Sequence, residues 1–384
     1  MNQTHILWET GILFTTLYLW AYLLARWKVP YIVSFLLAGF VGKLLFPLSS
    51  LHVLSLLEQS AVILLFFFVG LEYSFERLAG MWRVITPSLV DLLLNLIPLF
   101  LLAYLITKDP HLSFVLAAAL YPSSTAIVAK LMTDYRRLIL PEADLLIGIL
   151  IFEDLVAILL LSVVSAKTSS HQVHQVFLTV ILTLTLFVVL RRQIASVWGR
   201  LERQSQENIF PLLLLGLLLG LAGLSSMVGV PEALVAFLLG VSVPEESQTF
   251  RNIERSLWSL RELAVAVFFF SFTYHTDLSQ TLEWNLILVL LLASLLLKTL
   301  STFLGGLLYG LSRRVSLRAS LSFLPKGEFS VIMASYVPAA QPIVFLVVIS
   351  TALLGSIFFI LAPYLTKLLF SSTKKVGPPP APPS

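Results

Sequence analysis

YPSST at residues 121–125 and LPKGE at residues 324–328 each interrupt an apolar run long enough to cross a bilayer as a helix, about 20 residues. Proline removes a backbone donor and clashes with the preceding turn, so both Pro122 and Pro325 should break the helix that carries them. A break inside hydrocarbon is tolerated only where the freed backbone groups find partners in protein or line a watery cavity. The first break offers the hydroxyls of Ser123, Ser124 and Thr125, and the second offers Lys326, Gly327 and Glu328. Freed carbonyls and hydroxyls are the hard oxygen ligands that a dehydrating alkali cation requires. Lys326 and Glu328 either offset the dipoles of the half-helices at the break or line a cytoplasmic vestibule.

Tyr121-Pro122 and Leu324-Pro325 lie 203 residues apart, and the chain around them repeats at almost the same offset. Val29-Pro30, with Leu37 and Gly39, recurs as Val230-Pro231 with Leu238 and Gly240 at an offset of 201. Phe66-Phe67-Phe68 recurs as Phe268-Phe269-Phe270 at 202. On the span count given next, spans 1 to 6 match spans 8 to 13 and span 7 is an unpaired linker. Matched spans are an odd number apart, so the two halves should insert with opposite orientation, the inverted-topology repeat on which secondary transporters are built.

The composition agrees with a membrane protein. Hydrophobic residues make up 58% of the 384-residue chain and charged residues 12%, where a soluble domain carries about 25% charged residues. Cysteine is absent, which excludes a disulfide framework, a thiolate metal site and an iron–sulfur cluster. Cutting the apolar runs at proline, glycine and charge clusters predicts thirteen spans, at about 6–25, 29–46, 53–75, 84–107, 111–133, 143–166, 173–190, 209–227, 230–244, 257–274, 284–309, 315–337 and 341–370. The expected fold is therefore all-α and polytopic. A transmembrane unit fills residues 1–370 (repeat one 6–166, linker helix 173–190, repeat two 209–370), and a Pro-rich tail at 371–384 is expected to be disordered. Of the 25 Lys and Arg residues, 19 fall on the connections after odd-numbered spans or at the C-terminal end. The positive-inside rule then puts the N-terminus outside and the C-terminus in the cytoplasm. The net charge of +4 is scattered between spans, which fits the lipid bilayer as surroundings and not a nucleic acid partner.

An ionisable side chain deep in a span costs about 2.5–3.5 kcal/mol on insertion scales, so each is a site candidate. Glu153 and Asp154 lie side by side in IGILIFEDLVAILLL, residues 147–161. Neighbours on a helix point about 100° apart, so the two carboxylates should have different partners. Lys298 sits near the middle of span 11, and a buried ammonium keeps its proton only if paired. One carboxylate is expected to be its counter-ion, leaving the other to bind either H+ or a small cation. That competition alone produces antiport. Asp91 and Asn95, in span 4, read as packing or supporting groups.

At these residues the sequence resembles the monovalent cation:proton antiporters, specifically the branch that contains Kef-type and NapA-type exchangers. The resemblance runs from Val29-Pro30 to the last span and rests on FFFVGLE (66–72), PSSTAIV (122–128), Glu153-Asp154, AFLLGVSVPE (236–245), FFFSF (268–272), Lys298 and PKGEFS (325–330), in that order and spacing. It implies a homodimer in the cytoplasmic membrane with an NhaA/NapA-like fold. Spans near 1–3 and 8–10 would form the dimer domain, and spans 4–6 and 11–13 a core that carries the site across by an elevator motion. The transported ions would be H+ and a monovalent cation, Na+ first with K+ or Li+ as alternatives, and no cofactor is implied. Asp154 is similar to the family's cation- and proton-binding aspartate, Lys298 to its partner lysine, and Ser124 and Thr125 to residues of the first helix crossing. Glu153 stands where the family has Asp in electrogenic members, Asn in electroneutral ones and Gln in some potassium-efflux members. Glutamate departs from all three but keeps the charge of the electrogenic type, so the resemblance points to electrogenic exchange.

Two other classes remain from the residues alone. A cation-efflux channel of the same fold would conduct without obligatory proton movement. An enzyme is disfavoured, since the chain has no HExxH, GxSG or GxGD motif.

Overall fold

The computed structural model describes residues 3–27, 29–45, 51–72, 82–165, 181–183, 185–190, 192–194, 196–198, 200, 209–227, 230–243, 248–277 and 283–370. The regular structure among them is helical. In chain order the helices used below are α1 (Gln3–Ala25), α2 (Tyr31–Leu45), α3 (Leu51–Glu72), α4 (Trp82–Thr107), α5 (Pro110–Leu120), α6 (Thr125–Asp134) and α7 (Ala143–Val164). After the linker region follow α8 (Phe210–Met227), α9 (Glu232–Val241), α10 (Gln248–His275), α11 (Trp284–Leu308), α12 (Arg313–Leu321), α13 (Glu328–Ser335) and α14 (Gln341–Phe370).

Among the described residues, seven helical stretches are long and apolar enough to cross a membrane, or eight if the bent pair Ile181–Leu190 and Arg192–Trp198 is one span. Four shorter apolar helices accompany them: Thr10–Ala25, Tyr31–Leu44, Leu57–Leu71 and Glu232–Val241. The protein is thus a multi-pass, all-helical membrane protein. The linker helix expected at 173–190 lies largely outside the described residues, and the tail at 371–384 lies wholly outside them. One boundary differs from expectation by nine residues. The tenth helix begins at Gln248 instead of near 257, because the charged turn around Arg251, Glu254 and Arg255 continues the helix past its apolar part.

Both proline stretches break their helices as expected. Residues 121–124 separate α5 from α6, and residues 322–327 separate α12 from α13. Asp109 caps α5 by accepting from the backbone N–H of His111 (2.8 Å) and Leu112 (3.1 Å), with Pro110 at the first helical position.

The helices α4 and α11 pack on each other with their polar faces inward. Leu89, Leu93, Ile97, Leu101 and Leu105 of α4 are exposed at a spacing of four, while Ser88, Asp91 and Asn95 are buried. On α11, Leu288, Leu292, Leu296 and Leu300 are exposed, while Ser294, Lys298, Ser301 and Thr302 are buried. Lipid tails leave nothing to gain from burying leucine, so such helices associate through close packing and polar contacts.

Elsewhere small residues and phenylalanine set the packing. Helix α3 lies against α9, and α2 against α10. A Cβ on Gly70 would strike the carbonyl oxygen of Phe237, and one on Gly240 that of Phe67. Only glycine lets α3 and α9 approach this closely.

Candidate functional site

The two breaks meet in the interior. The backbone N–H of Ser124 donates to the carbonyl of Pro325 (2.8 Å), and Ser123 Oγ donates to the carbonyl of Phe323 (3.2 Å). Each break thereby satisfies backbone groups that the other frees, as hydrocarbon surroundings demand. The approach is close enough that a Cβ on Gly327 would run into the Ser124 side chain.

The charges of the second break reach the helix ends of the first. Lys326 Nζ donates to the carbonyl of Tyr121 (2.9 Å), which caps the C-terminal end of α5. The Glu328 carboxylate accepts from Ser124 Oγ (2.9 Å) and from the backbone N–H of Ala126 (3.4 Å), at the N-terminal end of α6. A cation therefore sits at a carbonyl end and an anion at an amide end, the signs that a helix dipole favours.

Beside the crossing, α7 brings in its adjacent carboxylates, both fully buried. Glu153 accepts from Lys298 Nζ through Oε1 (2.6 Å) and from the backbone N–H of Ser123 through Oε2 (2.6 Å). Asp154 accepts from Thr125 Oγ1, 3.0 Å from Oδ2 and 3.2 Å from Oδ1. The two neighbours do have different partners, as their 100° separation requires. A carboxylate beside a hydroxyl at the start of a half-helix is a group that H+ and a small cation can both occupy, though not together.

Lys298 has a second counter-ion that sequence reasoning missed. Its ammonium lies 2.9 Å from Asp91 Oδ2 as well as 2.6 Å from Glu153 Oε1, with 0% exposure for all three side chains. Ser301 Oγ and Asn95 Nδ2 also donate to Asp91 Oδ1, at 2.6 and 3.1 Å. Asp91, read above as a packing or supporting group, is thus part of the charge cluster. The sequence does place Ser88, Asp91 and Asn95 at the spacing of one helix face, but that this face meets Lys298 and Ser301 of α11 is seen only in the structure. Ser124 differs too. Its hydroxyl, offered above with those of Ser123 and Thr125 as a cation ligand, turns to Glu328 and also caps α6 by accepting from the Ile127 N–H (3.3 Å).

A cavity of about 560 Å³ opens among the helices. Phe35 of α2, Val69 of α3, Arg261 of α10, Ala126 of α6, Glu328 of α13 and Ser356 of α14 line it. The cavity therefore reaches the crossing, where Ala126 and Glu328 bond to each other.

Comparison with known proteins fits this geometry. The transmembrane sodium/hydrogen exchanger family matches residues 12–367. The ammonium/H+ antiporter subunit AmhT of Alkalihalophilus pseudofirmus is 29% identical over 97% of this chain and 97% of its own. The K+/H+ antiporter subunit KhtU of Bacillus subtilis is 30% identical over 75% of this chain and 73% of its own. In overall fold the chain is similar to the sodium proton antiporter MjNhaP1 of Methanocaldococcus jannaschii, with a TM-score of 0.71 at 17% identity, covering 94% of this chain and 99% of that one. A multi-pass helical fold, two crossed broken helices and a family match over nearly the whole length lead to one conclusion: the chain belongs to the sodium/hydrogen exchanger family of monovalent cation:proton antiporters, and is a transporter, not an enzyme.

Proposed function

We propose that Asp154 is the exchange site of this antiporter, binding H+ and a monovalent cation in alternation. The observation that carries this is the pair of adjacent carboxylates with divided partners: Glu153 is tied to Lys298 and the Ser123 backbone, while Asp154 stands with Thr125 at the crossing. Thr125 and freed backbone carbonyls supply the remaining oxygens of the cation shell. Lys326 and Glu328 compensate the half-helix dipoles that the breaks expose, so the crossing is stable with or without the ion.

The cation is K+ or NH4+ on this reading, since these are the ions in the names of KhtU and AmhT. Na+, which the sequence resemblance put first, is the rival to test beside them. The helices form two bodies, α1–α3 with α8–α10 and α4–α7 with α11–α14, and the elevator motion slides the second against the first along the cavity. Helix pairing supports an inverted repeat. At an offset of 201 to 203 residues, α2 matches α9 and α3 matches α10, so the contact of α2 with α10 maps onto that of α9 with α3. If the four shorter apolar helices, the bent pair and the broken stretch α12–α13 also cross, the count returns to the expected thirteen, with repeats at 6–166 and 209–370 around a linker. The N-terminus is then outside, the C-terminus in the cytoplasm, and the protein a homodimer of the cytoplasmic membrane.

The test uses purified protein in proteoliposomes with an acidic lumen and a lumenal pH dye. Adding K+, Na+ or Li+ outside is expected to alkalinise the lumen for wild type and not for a folded Asp154→Asn, and NH4+, whose free NH3 crosses the bilayer unaided, is tested by its competition with K+ for binding to the purified protein. Because H+ and cation compete, lowering the pH is expected to raise the apparent KM for the cation. Exchange that survives in Asp154→Asn removes the assignment. Cation current with no proton movement moves the protein to the channel reading.

A further inference from the structure

The Lys298 cluster contains one ammonium and two carboxylates, each from a different helix: Asp91 on α4, Glu153 on α7 and Lys298 on α11. Resting on the reading of Asp154 as exchange site, we propose that Asp91 is a positioning residue that keeps Lys298 a permanent ammonium, so that one H+ exchanges for one monovalent cation and the cycle moves no net charge.

The argument is one of charge and geometry. If Lys298 faced Glu153 alone, loss of its proton would leave one buried carboxylate without a counter-ion. With Asp91 present it would leave two, neighbours in an interior that screens them poorly. Asp91 is fixed in the ionised form by its own donors: Oδ2 accepts from Lys298 at 2.9 Å, and Oδ1 accepts from Ser301 at 2.6 Å, Asn95 at 3.1 Å and Lys298 at 3.2 Å. Lys298 Nζ also lies 5.1 Å from the centre of the Tyr121 ring and 5.6 Å from that of Phe323, two faces that favour a cation. The other nearby ammonium, Lys326, is held on the Tyr121 carbonyl. With Asp91 and Glu153 both ionised and Lys298 an ammonium the cluster carries one net negative charge, and on this proposal it keeps that charge through the cycle. Asp154 is neutral when protonated and neutral when paired with a monovalent cation, so both loaded forms carry the same charge, and the count closes at one H+ against one cation. The electrogenic exchange expected from the charge of Glu153 assumed that Lys298 had a single counter-ion. Asp91 removes that assumption.

The experiment balances gradients in proteoliposomes held at zero potential by a permeant lipophilic ion. At a fixed difference of one pH unit, one-for-one exchange stops at about a tenfold cation gradient, and two protons per cation stop at about a hundredfold. Wild type is expected to stop at about tenfold. Asp91→Asn, which leaves Lys298 with one counter-ion, is expected to move the stopping point towards a hundredfold, and Asp91→Glu to restore it. A purely structural role for Asp91 would lower the amount of active protein without moving this ratio. Wild type stopping near a hundredfold overturns the proposal, as does a transporting Asp91→Asn that stays at tenfold. If Asp91→Asn does not fold, the wild-type ratio decides alone. Wild type with no cation-coupled proton movement defeats the exchange-site reading instead, an outcome distinct from either ratio.

Discussion

The two broken crossings occupy matching places in the chain and are built from different chemistry. The first, at residues 121–124, contributes uncharged groups: Ser123 Oγ reaches the Phe323 carbonyl and the Ser124 N–H reaches that of Pro325. The second, at residues 322–327 with Glu328 following, contributes charge, sending Lys326 to the carbonyl end of α5 and Glu328 to the amide end of α6. The difference teaches that the pair works as one unit. Only one break carries the charges, and both are satisfied because they cross. The first break, with Thr125 that follows it, also turns one amide and one hydroxyl to the carboxylates of α7: the Ser123 N–H to Glu153 and Thr125 Oγ1 to Asp154.

The comparison can be broken most forcefully at Gly327. Gly327→Ala puts a methyl group into the Ser124 side chain and is expected to cost about 3 kcal/mol, as overpacking does. Thermal unfolding in detergent measures it, and exchange should fall with it. An unchanged melt would mean that the crossing has slack. Glu328→Gln keeps the hydrogen-bonding shape at Ser124 and Ala126 but removes the charge, with an expected cost of about 1–2 kcal/mol from the lost interaction with the α6 dipole. If the charge of the second break is compensatory, this variant should still exchange ions at reduced stability. Loss of exchange with normal stability would give Glu328 a direct part in ion binding. Ser123→Ala is the smallest change, about 1 kcal/mol for one neutral hydrogen bond. Its backbone N–H to Glu153 survives, so exchange should persist and only the melt should drop.

Much of this site was legible in the sequence, because proline and charge leave marks that apolar helices cannot hide. Pro122 and Pro325 placed both breaks, and the adjacency of Glu153 and Asp154 predicted that they would have different partners. The scarcity of buried charge predicted that one of the two carboxylates pairs with Lys298, and the family resemblance, by giving Asp154 to the ion, left that place to Glu153. What was not legible depends on helix rotation. Whether Asp91 faces Lys298 is a question of how α4 and α11 turn towards each other, and the inward polar stripe is clear only once both helices are seen with their leucines outward. Ser124 and Thr125 differ by one position, yet the extended N-cap sends one to Glu328 while the first helical residue turns the other to Asp154. The early start of α10 was missed for another reason: an amphipathic turn beyond the hydrocarbon has no apolar run to announce it.

The central claim, competition of H+ and cation for Asp154, is tested most directly by counting protons released on cation binding. Purified protein in weakly buffered detergent, at a pH where the site is protonated, is mixed with K+, Na+ or Li+ while a dye follows pH and bound cation is measured in parallel. The account predicts one proton released per cation bound in wild type, and neither binding nor release in a folded Asp154→Asn. Cation binding without proton release, or release that persists in Asp154→Asn, would contradict it.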